Sequence, residues 1–229
     1  PEGVEKSLYV RSGRPLLSLE TSKPLYDFDV VAFSLSFEHD YLNVLKMLEM
    51  GRITLLGLYR NLDEPLVTAG GVSTYLNPEP LADFIDVFIP GDAEVTLNPF
   101  MESVFDIWQG GGSRRDRLDR LAFSNPSIYV SSCYAPEYGS GGTLAAFKPL
   151  SSRIPEKIHV ERAWGSSWPP ACSTVLTRES EFSDMFLVET GRGCGRSCRF
   201  CAAGYVYRPP RFHAEASIQS LVEGPVREG

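Results

Sequence analysis

Short apolar runs alternate with amphipathic helix patterns through the first half of the sequence. "DVVAFSLS" (29–36) and "PLVTAGG" (65–71) are typical of strands that are buried on both faces, and "DVFIPG" (86–91) indicates a third, shorter strand. A helix pattern over residues 41–51 lies between the first two. Strands that alternate with helices at this spacing predict βαβ units in a mostly parallel sheet. Residues 1–110 are therefore predicted to form a Rossmann-like domain of the α/β class.

Two Asn-Pro pairs in the same region mark predicted helix starts. Asn77 and Pro78 lead into "EPLADF", and Asn98 and Pro99 precede an apolar stripe that ends at Trp108. Proline is tolerated in the first turn of a helix, because the N–H group that it lacks would have no helical partner there. The sequence therefore predicts that a helix begins at each pair.

The pattern changes after residue 108. "QGGGSRRDRLDRL" (109–121) starts with glycines and continues as a charged helix, which is predicted to form a solvated face rather than a basic binding patch. "SIYVSSCYAPEYGSGGTLAAFKPL" (127–150) has two alternating runs around "GSGG", which predicts a β-hairpin. Residues 151–183 show no clear period and are interpreted as a connecting segment.

Three of the five cysteines lie close together near the end of the sequence. "DMFLVET" (184–190) predicts a buried strand, and "GCGRSCRFC" (193–201) follows it. Residues 213–224 then predict a helix that is stopped by Gly224 and Pro225. The cysteines therefore lie in a long loop between a strand and a helix, which is where β/α barrels place their active-site groups.

The C-x3-C-x2-C spacing of Cys194, Cys198 and Cys201 is compatible with metal ligands. Zinc usually takes four ligands, and the nearest histidine in the sequence is a dozen residues away. A ferredoxin-type cluster takes four cysteines, whereas three thiolates on a four-iron cluster leave one iron open to another ligand. The plain alternative is three cysteines packed in a turn. Cys133 and Cys172 are interpreted as core residues, since free cysteine is among the most buried residue types.

With Phe200 included, the loop resembles the C-x3-C-x-aromatic-C signature of the radical S-adenosylmethionine (radical SAM) superfamily. The resemblance implies that Cys194, Cys198 and Cys201 bind a 4Fe–4S cluster, and that the open iron binds S-adenosylmethionine (SAM). It also implies that the reduced cluster cleaves SAM to methionine and a 5′-deoxyadenosyl radical, and that the backbone around Phe200 lies near the adenine. The cofactors carry this chemistry, while the protein holds and orients them and excludes water.

The first half is similar to the cobalamin-binding-like domain that precedes the barrel in one large group of radical SAM proteins. The similarity lies in "PLVTAGGVSTYLNPEPLADFIDVFIPGDAE", where Ala93 replaces a glycine of the group, and with "FLVETGRGCGRSCRFCAAGYVYRPPR" it covers most of the chain. The usual cobalt-ligand motif is Asp-x-His-x-x-Gly, which none of His39, His159 and His213 matches. Many members of the group lack this motif, so the sequence leaves cobalamin open as a further cofactor.

The resemblance divides the chain into three parts. Residues 1–110 are the Rossmann-like, cobalamin-binding-like domain, residues 111–183 are a helix, hairpin and connecting segment, and residues 184–229 begin a radical SAM domain. A βαβ unit takes about 30 residues, so the last part has room for one strand, the cysteine loop and one helix. We therefore expect the chain to be an inactive fragment of a longer radical SAM enzyme.

Composition limits the partners and the location. The net charge of −7 argues against broad nucleic-acid binding, and the sequence has no apolar run long enough to cross a bilayer. An odd number of cysteines does not suggest a secreted disulfide framework, so we expect a cytoplasmic protein. The resemblance implies an electron donor such as a flavodoxin or ferredoxin, and it leaves the substrate unknown.

Two other classes of function remain open from the sequence. An iron–sulfur electron-transfer protein that does not use SAM would need a fourth cysteine, for which Cys172 is the upstream candidate. A non-catalytic binding module would use the Rossmann-like half, with the clustered cysteines holding a structural zinc ion.

Overall fold

The structure of the protein is a computed structural model. The residues that it describes are 9, 11–165, 168–174, 176, 178, 182–183, 185–196 and 198–228. The chain divides into two compact units, Pro1–Glu161 and Arg162–Gly229. The domain limits predicted after residues 110 and 183 stay predictions.

A three-stranded parallel sheet forms the centre of the first unit. Strands β1 (Val30–Ser34), β2 (Leu66–Gly70) and β3 (Val87–Ile89) lie in the order β1-β2-β3, with Ala69 paired to Phe88. β2 is buried along nearly its whole length, as its continuous apolar run predicts. The predicted α/β class and the Rossmann-like sheet are therefore confirmed.

Helices cover both faces of this sheet. They are α1 (Tyr41–Met50), α2 (Val72–Leu76), α3 (Ala93–Gln109) and α4 (Arg114–Ser124). Successive residues of β2 point to opposite faces, so Val67 packs in a buried cluster with α1, while Leu66 packs in another with α3 and α4. The predicted helix over residues 41–51 is confirmed, and it ends at Met50.

The two Asn-Pro pairs behave differently. The helix start predicted at the second pair is wrong, since α3 begins at Ala93 and Pro99 lies inside it. Pro99 removes a single helical hydrogen bond, and the burial of Phe100 against the sheet keeps the helix continuous. At the first pair, the side chain of Asn77 accepts a hydrogen bond from the N–H of Glu79 (3.1 Å) and begins a short 3-10 helix.

The predicted hairpin is also present in the first unit. β4 (Tyr134–Tyr138) pairs antiparallel with β5 (Leu144–Pro149). The N–H of Gly139 donates to the carbonyl oxygen of Thr143 (2.9 Å) and closes the glycine-rich turn between them. This part of the prediction is confirmed.

The second unit is organised around a short two-stranded ladder. β6 (Gly191–Arg192) pairs antiparallel with β7 (Arg211–Phe212), and the helices are α5 (Ala203–Val206) and α6 (Glu215–Glu228). Between β6 and β7 the chain forms the cysteine loop, defined here as residues 193–210. Among the described residues, no helix of either unit is long and apolar enough to span a membrane.

Two sequence predictions fail in this unit. Asp184, where the buried strand should begin, lies outside the described residues, and Met185 and Leu187 after it are exposed. The run is therefore not a buried strand, because other elements do not cover these two side chains. The helix stop predicted at Gly224 is also wrong, since α6 continues through Pro225 with the loss of one backbone hydrogen bond.

Candidate functional site

The cysteine loop is closed at its base by contact between its two ends. Gly193 has a φ angle of +97°, which favours glycine. A Cβ atom at this position would lie 2.2 Å from the carbonyl oxygen of Tyr207, so a larger residue would also clash with the returning chain. The first cysteine directly follows this closure point.

Solvent exposure separates the loop cysteines from Cys133. Cys194 and Cys198 are exposed and Cys201 is partly exposed, whereas Cys133 is fully buried, which confirms its interpretation as a core residue. Burial and then the Asp119 carboxylate raise the pKa of the Cys133 thiol to about 12, so it stays protonated at neutral pH. Cys172 is partly exposed, so its interpretation as a core residue is not confirmed. The loop thiols are the accessible candidate ligands that share one loop.

The structure gathers the three thiols on one loop but does not place them as a ligand set. The N–H of Cys201 donates to the carbonyl oxygen of Cys198 (3.1 Å), and the N–H of Arg196 donates to the sulfur of Cys194 (3.4 Å). Across the described ranges, which omit Ser197, no three His, Cys, Asp or Glu side chains form a group that could hold a metal. Three thiols in one loop nevertheless fit an iron–sulfur cluster in type and number, and binding would draw them together.

His213 does not join the cysteines. Its side chain is 2% exposed, and its ring lies against Trp168 with 3.7 Å between the ring centroids. The Nε2 atom lies 3.5 Å from a carboxylate oxygen of Glu189. His39 and His159 are exposed in the first unit. The imidazole of His213 is therefore packed into the base of the loop and is not presented as a fourth zinc ligand.

The packed group beside the loop was not found from the sequence. Trp168 is 5% exposed, and it lies in the segment that showed no period. Arg192 donates two hydrogen bonds to Glu189, at 2.8 and 2.9 Å. The signal in the sequence was tryptophan itself, because two of the three tryptophans lie in this segment, within five positions of each other. Phe200, in contrast, is 92% exposed, and its predicted position near the adenine stays a prediction.

The carboxyl end of the sheet, where Rossmann-like folds bind ligands, is closed by the chain itself. A Cβ atom at Gly71 would lie 2.5 Å from the carbonyl oxygen of Leu35. At Gly91 it would lie 2.8 Å from the Thr96 side chain and 3.0 Å from the carbonyl oxygen of Glu161. The cavity beside the end of β3 has a volume of about 340 Å³, near the lower end of the range for drug-sized ligands. Cobalamin is larger than this cavity, and it stays open as a further cofactor.

A larger cavity, of about 1150 Å³, lies towards the amino ends of β2 and β3. Its lining includes Arg60, Asp86 and Arg114, and all three are buried. The Asp86 carboxylate lies 3.0 Å from the Arg60 guanidinium and 2.8 Å from that of Arg114. The solvated face predicted for the charged helix is thus wrong at Arg114, because a buried carboxylate and backbone carbonyl groups bind it.

Residues 1–131 match the protein family described as "Radical SAM proteins, N-terminal". The match covers more than half of the 229 residues, and the chain therefore belongs to this family of radical SAM proteins. It ends before the cysteine loop, so the role of the three cysteines rests on their own chemistry.

The chain is also similar to a protein of Methanocaldococcus jannaschii, the uncharacterised protein MJ0966. The two are 28% identical over 211 residues, which is 91% of this chain and 38% of that protein. The chain thus spans well under half the length of this relative. No solved structure matches the chain.

Proposed function

We propose that the chain is part of a radical SAM enzyme in which Cys194, Cys198 and Cys201 hold a 4Fe–4S cluster. The observation that carries the proposal is that these three accessible thiols share one loop, in a chain whose first 131 residues belong to a radical SAM family. A core role does not account for them, because none of the three is buried. Residues 184–229 would form the beginning of the domain that binds SAM.

When bound, the cluster and SAM supply the one-electron cleavage of the SAM sulfonium. The residues of the chain bind and position these groups. The three thiolates would hold three irons and leave the fourth for SAM. The backbone around Phe200 would lie near the adenine. A flavodoxin or ferredoxin would donate the electron, and the substrate would be bound by the longer protein.

Anaerobic reconstitution of the chain with iron and sulfide tests this assignment. We expect about four irons per chain, and a change in the electron paramagnetic resonance spectrum of the reduced cluster when SAM is added. Replacement of Cys194, Cys198 or Cys201 by alanine should sharply lower the iron content. Cys133→Ala and Cys172→Ala are the matched controls, and they should leave it nearly unchanged.

Each alternative function predicts a different result from this experiment. Tight binding of zinc without uptake of iron and sulfide would favour a structural metal site. A cluster that does not respond to SAM, and that also needs Cys172, would favour an electron-transfer protein. Equal loss of iron from all five variants would contradict the three-ligand assignment.

A further inference from the structure

The second unit begins with a segment that crosses the base of the cysteine loop. We call residues 162–165 and 168–173 the strap. Its end pairs with the chain before β6: the N–H of Ser173 donates to the carbonyl oxygen of Leu187 (2.9 Å), and the N–H of Glu189 donates to that of Ala171 (2.8 Å). These bonds fix the strap next to the chain segment that precedes β6 and leads into the loop.

The start of the strap is bonded to the far side of the loop. The Arg162 guanidinium donates to the carbonyl oxygen of Val206 in α5 (3.0 Å). The buried Arg211 of β7 donates to the carbonyl oxygen of Ala163 (2.7 Å). The same strap thus contacts the chain that enters the loop and the chain that leaves it.

Trp168 lies where these contacts meet. In the ladder, Arg192 of β6 is directly opposite Arg211 of β7. Like charges directly opposite each other weaken a pair of strands. Both guanidinium carbons lie over the Trp168 ring, at 5.5 Å for Arg192 and 4.9 Å for Arg211, and His213 packs against the same ring. The electron-rich face of the indole attracts both cations, and Glu189 offsets the charge of Arg192.

We propose that Trp168 is a positioning residue for the cysteine loop. By stabilising two arginines that would otherwise repel each other, its ring keeps β6 and β7 paired and holds the two ends of the loop together. The three thiols then stay within reach of one another. The effect on cluster binding rests on the function proposed above, whereas the effect on the spacing of the thiols does not.

The first test uses the metal-free chain and phenylarsine oxide, which binds tightly where two thiols lie close together. We expect Trp168→Ala to lower the affinity of the loop for phenylarsine oxide towards the affinity of a single thiol. Trp168→Phe should restore much of the capture, because it keeps an aromatic face. Trp168→Leu keeps apolar bulk without that face, and it should resemble the alanine variant. Trp164→Ala is the comparison variant on the same strap. It should weaken capture less than Trp168→Ala, because the Trp164 ring also lies over Arg211, at 5.4 Å, but is 52% exposed.

The outcomes of this test separate the possible roles of Trp168. Equal capture by the leucine and phenylalanine variants would overturn the cation–π account, since burial alone would then explain the role of the ring. Unchanged capture in Trp168→Ala would overturn the proposal as a whole. Circular dichroism of each variant shows whether the chain is folded. If the alanine variant does not fold, the comparison of leucine with phenylalanine decides the question.

The second test measures iron loss to a chelator after reconstitution. We expect Trp168→Ala to lose iron about 10- to 100-fold faster than the unchanged chain, with partial rescue by Trp168→Phe and an altered paramagnetic resonance spectrum of the reduced cluster. Loss of iron at the unchanged rate, with a cluster that still depends on Cys194, would reject the positioning role and keep the proposed function. Failure of the unchanged chain to take up iron would instead reject the proposed function, and the thiol-capture test would still decide the role of Trp168.

Discussion

Gly193 and Gly195 flank the first cysteine of the loop, yet their surroundings differ. The backbone of Gly193 has a positive φ, and a Cβ atom there would overlap the carbonyl oxygen of Tyr207. At Gly195 the nearest atom would be Cγ of Pro210, at an ordinary contact distance of 3.9 Å. The two glycines therefore form a matched pair for testing the closure of the loop.

We expect Gly193→Ala to weaken the pairing of β6 with β7, because backbone strain of this kind costs about 1–3 kcal/mol before the overlap with Tyr207 is relieved. Hydrogen exchange of the β6 and β7 amides measures the effect, as faster exchange in the variant. Gly195→Ala should exchange at nearly the unchanged rate. Equal exchange in the two variants would show that the loop is not closed at Gly193.

Functional residues could be predicted from the sequence where they lie close together at a characteristic spacing. The C-x3-C-x2-C pattern could be recognised because its three thiols lie within eight positions. The group around Trp168 could not, because the ring meets His213 and Arg211 more than 40 positions further along the chain. Local patterns carry no information about contacts at that separation.

In the first unit, Asp86 connects three separate parts of the chain. Its carboxylate accepts a hydrogen bond from the N–H of Val67 in β2 (2.8 Å) and pairs with Arg60, before β2, and with Arg114, at the start of α4. Burial lowers the pKa of Arg60 and the Asp86 carboxylate opposes that shift. Two buried cations therefore share this carboxylate.

We expect Asp86→Ala to lower the free energy of unfolding by about 3–5 kcal/mol, because it leaves both guanidiniums buried without their counter-charge. Urea unfolding, followed by circular dichroism, measures this change. Glu137→Ala is the control, because it removes a carboxylate from an exposed ion pair with Lys148. It should hardly change the urea concentration at the midpoint of unfolding. A similar shift in both variants would contradict the role given to Asp86.

The elements that were predicted correctly are those in which pattern and burial agree. β2, β3 and α1 each have the periodicity that their burial requires, and the hairpin has glycines at its turn. β1 is a strand as predicted, but its predicted burial on both faces is wrong, because it lies at the edge of the sheet with Ala32 and Ser34 exposed. The errors occurred where proline was taken as a boundary, at Pro99 and Pro225, since each removes one hydrogen bond from a helix that continues past it. The apolar run at 184–190 failed for another reason, because apolar composition alone does not say whether a neighbouring element covers a strand.

At the scale of the whole molecule, the two units have separate sources of stability. The buried clusters around the parallel sheet draw their residues from Val31 to Ile154, all within Pro1–Glu161. Cys194, Cys198 and Cys201 all lie in Arg162–Gly229. The first unit therefore has a core of its own that includes none of the three proposed cluster ligands.

We therefore expect removal of iron from the reconstituted chain to affect the second unit alone. Amides of β1, β2 and β3 should keep their protection from hydrogen exchange, because the apolar burial that stabilises them involves no metal. Amides of the cysteine loop, β6 and β7 should exchange faster, because the loop loses the group that draws its thiols together. Exchange followed by mass spectrometry before and after chelation measures both regions in one sample, with Cys194→Ser as the control that lacks the cluster from the start. Loss of protection across the parallel sheet on chelation would show that the first unit also depends on the cluster.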